Sequence, residues 1–407
     1  MRKSSHRHFL IAGLLLFSLT VSGAWSNFPT AVRVDIKNVT FYHTYGYLDE
    51  DEWVIPLKLY VSESRPVQER AITALVRNWY DLDEEQTEIF RSRISAFVAD
   101  SKSREEVVFG FDRDPEGEAF RLLSDNGNPT PAQDPTQTPA QDPTQTQSQT
   151  QTQNPNPNPT PIVTNRNGIK NGTIRLGRER AEQLLAQQNS MDGWLTIRAV
   201  SEGHEGTGRI QLIPPYGLSV ISDIDDTVKI TEMPAGTQIV LRNTFFKPYQ
   251  AAPGMADLYQ LWNEAAFHYV SGTPRQFFNP LKEYLFHEDQ GFPPGSMHMK
   301  NVQKNFLSPE TWRNMGELLI NDDYTFDQKS GQIIDILEAF PERRFILVSD
   351  SGERDPEIYR EMMRRFPEQI EKVYIRDVVN DWERNPERLE GMEIIPARTV
   401  TRGVSQF

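Results

Sequence analysis

The sequence predicts an α/β protein. A parallel-sheet domain, 217–407, follows a β-rich domain, about 30–215, which a low-complexity segment, about 126–161, interrupts. Three observations carry this. After Gly217, short apolar runs alternate with stretches of helical spacing. Before it, several runs alternate apolar and polar residues at a spacing of two, the mark of a half-buried strand. Between them, "TPAQDPTQ" occurs twice in tandem, at Thr130–Gln137 and Thr138–Gln145, followed by "TQSQTQTQNPNPNPTP". Gln, Thr, Asn and Pro without aliphatics bury too little surface to offset chain entropy, so this segment reads as a linker or loop insertion without chemistry.

The first element is an export signal, 1–24. "MRKSSHRH" is basic, Phe9–Val21 is an apolar run of thirteen residues, and Ser22–Ala24 offers small residues for cleavage. The run is short for a membrane span, so cleavage is favoured over anchoring. The expectation is an exported protein, periplasmic or secreted.

In the β-rich region, "AVRVDIKNVTFYHTYGY" and "WVIPLKLYV" read as strands. Val67–Tyr80 and Asp83–Asp100 have helical spacing, and Glu105–Phe111 reads as a strand. Past the repeats, "GTIRLG", "GWLTIRAV" and "TGRIQLIPP" suggest strands, with a helix in "RERAEQLLAQQ". Trp53 and Trp194 read as core of this region. These pieces are too few for two cores.

From Gly217 the order is strand "LSVISD", helix Met255–Ala265, strand "FHYVSG", helix Gln276–Phe286, strand "GSMHMK", helix Ser330–Phe340, strand "RFILVSD", helix Pro356–Arg365 and strand Val373–Val378. Near-continuous apolar strands followed by helices imply a parallel sheet covered on both faces. Ligands of such sheets sit at the carboxyl ends of the strands. Asp223, Ser271 and Asp350 each stand at such an end, so they should converge. His268 and His298 read as structural histidines.

Totals narrow the chemistry. With 43 Lys+Arg against 57 Asp+Glu, the net charge is −14, which disfavours nonspecific nucleic-acid binding. Cysteine is absent, which excludes disulfides, thiolate ligands and a Cys nucleophile. Asp223, Asp225 and Asp226 fall within four residues of "SVISDIDDTVKI". Like charges delivered to one spot repel, so either a cation sits there or the segment is an exposed acidic turn.

Four separated elements line up: Asp223-Ile-Asp225-Asp226-Thr227; "YVSGTP" with Ser271; "DQKSGQI" with Lys329 at a helix start; and "ILVSDSGERDPEIY" with Asp350 and Asp355. The set resembles the haloacid dehalogenase (HAD) phosphohydrolase superfamily over Leu218–Val378, which implies a HAD-like, Rossmann-like sheet. "SVISDIDDTVKITE", "SGTPRQFFNPL", "FPPGSMHMK" and "DSGERDPEIY" look like the catalytic domain of the App1 phosphatidate phosphatase family. Ser349 departs from the Gly that often precedes the last motif's Asp.

The resemblance implies Mg²⁺ as cofactor and an aspartyl-phosphate intermediate on Asp223. It implies Asp225 as acid and base, its carbonyl also on the metal, and Asp350 and Asp355 completing the metal site, the latter holding a metal-bound water or Lys329. Ser271 would donate to a phosphoryl oxygen and Lys329 would offset charge. Thr227 would steady the turn; Asp226 would point away or cap it. The implied substrate is phosphatidate, with peripheral contact to a membrane surface. There is no room for a full cap domain between Thr227 and Ser271. Lys229, Arg242 and Lys247 flank Phe245 and Phe246, a pattern suited to an anionic lipid if those rings are exposed. Another exported phosphoester, or a non-catalytic envelope scaffold, are the alternatives.

Overall fold

Alternation in the first two hundred residues produces a mixed sheet. The computed structural model describes residues 36–114, 162–165, 167–302, 304–319 and 322–397. The expected signal, 1–24, and the stretch about 126–161 lie outside the described residues. Strands β1 (Lys37–Phe41), β2 (Thr44–Asp49) and β3 (Glu52–Glu63) come first, then the short β4 (Asp100–Ser101), β5 (Glu106–Val107) and β6 (Phe109–Phe111). They are followed by β7 (Ile162–Val163), β8 (Ile169–Gly177), β9 (Trp194–Ala199), β10 (His204–Glu205) and β11 (Thr207–Leu212). Nine of these form one sheet in the order β10-β1-β3-β2-β11-β9-β6, with β4 and β8 also on β3.

β3 shows why the sheet has two covered faces. Ile55, Leu57, Leu59 and Val61 are buried in one cluster with Phe109, Ile174, Ile197 and Ile210. Tyr60, one residue out of phase, is buried in a different cluster with Tyr42 and Phe278. Successive side chains on a strand point to opposite faces. So the odd positions of β3 close the β-rich core, and the even ones face the rest of the chain.

Helices α1 (Pro66–Tyr80) and α2 (Glu84–Val98) follow β3. α2 starts where local chemistry says it must. The Asp83 side chain accepts from Gln86 N at 2.8 Å and the Gln86 side chain from Asp83 N at 3.3 Å, a reciprocal cap. Its apolar face is buried away from the mixed sheet's core. Phe97 meets Phe306, Phe277, Phe245 and Trp312 at centroid distances of 4.9, 5.0, 5.8 and 5.9 Å. All four partners come from beyond Gly217. Helix α3 (Arg178–Gln187) completes this region.

The second sheet is all parallel. Its strands are β12 (Leu218–Ser222), β13 (Ala266–Pro274), β14 (Gly295–Lys300), β15 (Arg344–Asp350), β16 (Ile370–Asp377) and β17 (Glu393–Pro396). Their order is β14-β13-β12-β15-β16-β17. Neighbouring residues of one strand enter opposite clusters: Val220, Phe267, Ile346 and Val348 one, Ile221, Phe345 and Leu347 the other. That double burial is why these strands read as unbroken apolar runs. The intervening helices are α4 (Thr237–Phe245), α5 (Met255–Gln260), α6 (Phe278–Leu285), α7 (Pro309–Arg313), α8 (Met315–Leu319), α9 (Asp322–Ala339), α10 (Asp355–Arg365) and α11 (Asp381–Arg384). The described residues all fall within one compact unit.

Two expectations shift. Lys329 does not start a helix: α9 begins at Asp322, two turns earlier. Phe245 and Phe246 are not exposed; they are 0% and 1% accessible and pack on Phe90 of α2.

Candidate active site

The strand order reverses between β12 and β15, because β12 runs on to β13 on one side while β15 runs on to β16 on the other. A crevice forms at the carboxyl ends of two such strands. Asp223 directly follows β12 and Asp350 ends β15. The Asp223 amide still donates to Val348 O at 2.9 Å, which fixes the backbone at the strand's end.

Asp223, Asp350 and Glu353 form a cluster whose nearest carboxylate oxygens all lie within 4.8 Å of one another. Burial, and next the charge of Asp223, hold the Asp350 carboxyl well above its ordinary range. Burial does the same to Asp223, against the pull of Lys329. Glu353 is pushed up to about 7, burial being the largest cause. Buried carboxylates in this state accept a proton or a cation. The set is all oxygen and anionic, with Asp223 and Asp350 buried and Glu353 partly so, which fits a hard divalent cation such as Mg²⁺.

Lys329 reaches into the cluster from α9. Its Nζ lies 2.7 Å from Asp223 Oδ1, 2.8 Å from Asp355 Oδ2 and 3.4 Å from Glu353 Oε2. Burial opposes its charge, but the charges of Asp223, Asp355 and Glu353 outweigh burial and push the ammonium well above its usual value. Asp355 therefore serves as the lysine's partner, and Glu353 takes the third place in the carboxylate cluster that the sequence reading gave to Asp355. The reason is local. The turn 351–354 swings Glu353 back toward Asp350, and Asp355 opens α10 facing Lys329.

Asp225 sits in a separate nest. Oδ1 accepts from Lys229 Nζ at 2.6 Å and from Thr231 at 2.7 Å; Oδ2 accepts from Thr273 at 2.5 Å and from Ser271 at 3.3 Å. Burial raises its pKa, but the Lys229 charge and the bonds from Lys229, Thr273 and Thr231 outweigh it and hold the carboxyl at about 2. Asp225 rests ionised, the form of a base. Lys229 corrects an expectation: it is 1% accessible and neutralises Asp225, so it is not a surface cation for lipid. Arg242 and Lys247 are exposed.

Asp226 and Thr227 build the frame. Asp226 adopts a left-handed backbone, φ 54°, and its carboxylate accepts from the amides of Thr231, Glu232 and Met233 at 2.8, 2.7 and 2.6 Å. It caps the following turn and does not join the cluster. Thr227 Oγ1 donates to Asp223 Oδ2 at 3.1 Å. The segment that Asp226 holds ends in Pro234, which presses on Gly352. A Cβ at Gly352 would lie 2.8 Å from Pro234 and 2.9 Å from Asp350 Oδ1, so only glycine fits. Beside it a cleft of about 750 Å³ is lined by Pro234, Val378, Val379, Trp382, Ile394 and Pro396, among others. Trp382 is 60% exposed there.

Sequence reasoning missed Glu353, Thr273 and Thr231, which differ from ordinary loop residues only in position. His268 is buried and bonded to Ser296 at 2.8 Å, and Ser296 also meets His298 at 2.9 Å, so both histidines are structural.

Residues 218–377 match the family described as the catalytic domain of the phosphatidate phosphatase APP1. A Saccharomyces cerevisiae protein, the phosphatidate phosphatase APP1, is 35% identical over 191 residues, 45% of this chain and 30% of that protein. An uncharacterised Schizosaccharomyces pombe protein is 30% identical over 179 residues, 42% of this chain and 27% of its own length. The chain thus spans less than a third of the curated relatives it matches.

Proposed function

From the match of residues 218–377 to the App1-type phosphatidate phosphatase catalytic domain we propose that this chain is a Mg²⁺-dependent, HAD-like phosphatase of that family, which hydrolyses phosphatidate to diacylglycerol and phosphate. One observation carries the reading: a buried carboxylate, Asp223, sits at the reversal of strand order, paired with Lys329 and clustered with Asp350 and Glu353.

The steps follow from the residues. An Asp223 oxygen attacks phosphorus, and the bond to the glycerol oxygen breaks. The leaving alkoxide takes a proton from Asp225. Water then attacks the aspartyl-phosphate, gives a proton back to Asp225 and frees phosphate and Asp223. Held at about 2, Asp225 is ready for the second half. For the first half it must be protonated, which requires its contact with Lys229 to loosen as the dianion arrives. Lys329 offsets charge on Asp223, and Ser271 and Thr273 can donate to phosphoryl oxygens. Asp223, Asp350 and Glu353 would hold Mg²⁺, which would neutralise the dianion against the carboxylates. The Asp225 carbonyl, by resemblance, would join them.

The cleft beside the site has a mixed lining, with Asp377, Glu383 and Arg384 among its apolar residues, and its exposed Trp382 suits a lipid–water boundary; exposed Arg242 and Lys247 suit an anionic surface. Among the described residues no helix is long and apolar enough to cross a membrane. The basic and apolar N-terminus supports an exported protein.

The test is phosphate release by the purified protein from phosphatidate in mixed micelles, with Mg²⁺ or EDTA, beside Asp223→Asn. Release that needs Mg²⁺ and falls at least about 10³-fold in the variant is expected. Turnover of a small phosphoester but not of phosphatidate would keep the site and replace the substrate. Turnover of neither would favour a scaffold.

A further inference from the structure

The even positions of β3 face the edge strand β14, and the fit between them is incomplete. A cavity of about 330 Å³ remains, walled by Lys58, Asn171, Arg275 and His298, among others. Both cations rest on Tyr42. Lys58 Nζ lies 5.5 Å from its ring centre, and Arg275 Nη1 donates to its hydroxyl at 3.1 Å. Arg275 is 6% accessible, stacks over Tyr60 at 4.2 Å and donates to Asn301 at 3.1 Å. Neither cation has a carboxylate partner among the described residues; the acidic wall residue, Asp335, exerts its charge on Tyr45 instead. His43, 7% accessible, also lines the cavity, and its Nδ1 is buried without a partner.

Like charges in such a place repel, and an anion between them removes the repulsion. The groups show that strain. Burial and then Arg275 bring the Lys58 ammonium down to about 8. Burial and then Lys58 bring His298 down to about 4. The partners already present are the hydroxyl, ring faces and amide of neutral residues, which orient both cations and leave their charge unspent.

We propose that this cavity is a second oxyanion site, separate from the catalytic carboxylates, which takes a phosphate-type group between Lys58 and Arg275 with Asn171 at the rim. Arg275 lies two residues beyond Thr273, which bonds to Asp225. An occupant therefore braces β13 where it meets the active site.

The probe is inorganic phosphate, titrated calorimetrically into the full protein in EDTA, where the metal-free catalytic carboxylates repel anions. A parallel arm measures sedimentation with phosphatidylglycerol–phosphatidylcholine vesicles in phosphate-free buffer. The variants are Lys58→Met and Asn171→Asp. Asn171 is the cross-strand partner of Lys58, so its replacement sets a carboxylate opposite the ammonium. Saturable phosphate binding that both variants weaken about tenfold or more supports the site with a free oxyanion as occupant. Vesicle binding weakened by both, with no phosphate binding, supports it with a lipid headgroup. Absence of binding in both arms overturns it, as does binding that Asn171→Asp leaves intact in a folded protein. Neither arm depends on catalysis, so failure here is distinct from failure of the phosphatase reading.

Discussion

Replacing Phe97 by Ala should unfold the β-rich half and the catalytic half together. Phe97 belongs by sequence to the first half, yet the four rings around it, at 4.9 to 5.9 Å, all belong to the second. Truncating a buried Phe costs about 3–5 kcal/mol through lost transfer energy and the cavity left behind. Aromatic pairs add about 0.5–1.5 kcal/mol beyond area, so the upper end of that range applies here. Against a typical total of about 5–15 kcal/mol this is a large share. The assay is urea unfolding followed by tryptophan fluorescence and by residual phosphatase activity. Both midpoints should fall together, while Leu261→Ala, at a side chain 75% exposed, should move neither. Fluorescence that shifts while the activity midpoint stays put would refute the reasoning, because the halves would then be independent.

Two further outcomes are expected. Lys229→Met removes the charge that holds Asp225 at about 2, so the carboxyl rises and the acid limb of aspartyl-phosphate hydrolysis, where Asp225 acts as base, moves to higher pH; a pH profile of kcat under hydrolysis-limited turnover with an unmoved acid limb would contradict the role given to Lys229. His43 and His268 are buried neutral, His43 at about 3 and His268 well below the ordinary value, burial being the main cause in both. Unfolded, they titrate near 6.5 and bind more protons than when folded. Their contribution is therefore complete above about pH 6.5 and is lost as pH falls below it, at about 1.4 kcal/mol per pH unit for each; urea midpoints between pH 7 and 5 measure it, and His43→Gln should flatten the slope.

Much of this was legible in the sequence, for physical reasons. β12, β13 and β15 read as buried strands because both faces are covered, and a parallel sheet places its site at their carboxyl ends. Asp223, Ser271 and Asp350 were found that way, while Asp225 and Lys329 were singled out by the motif set and its resemblance; Lys329 reaches Asp223, and Ser271 reaches Asp225. Glu353 escaped because a turn, not a strand, aims it, and turns carry no periodicity. Lys329 was set at a helix start because "NDDYTFDQK" lacks the apolar stripe that marks a first turn. Lys229 and the pair Phe245–Phe246 looked like a lipid-facing flap. The two rings are buried against α2, more than a hundred residues upstream, and no local pattern reports a partner that distant; Lys229 is drawn inward by Asp225 and Thr231. The edge strand β17 is short and half-exposed, so its signal was weak.

The order of strands has a consequence in time. β3 pairs along Glu52–Tyr60 with β8, but β8 begins at Ile169, roughly a hundred residues after β3 ends, and at about 5–20 residues/s the ribosome needs about 5–20 s to supply it. Until then one edge of the longest strand among the described residues is an open template for any passing chain. The newborn polypeptide therefore spends its first seconds unable to finish its own sheet, and whatever guards it in that interval must cover β3.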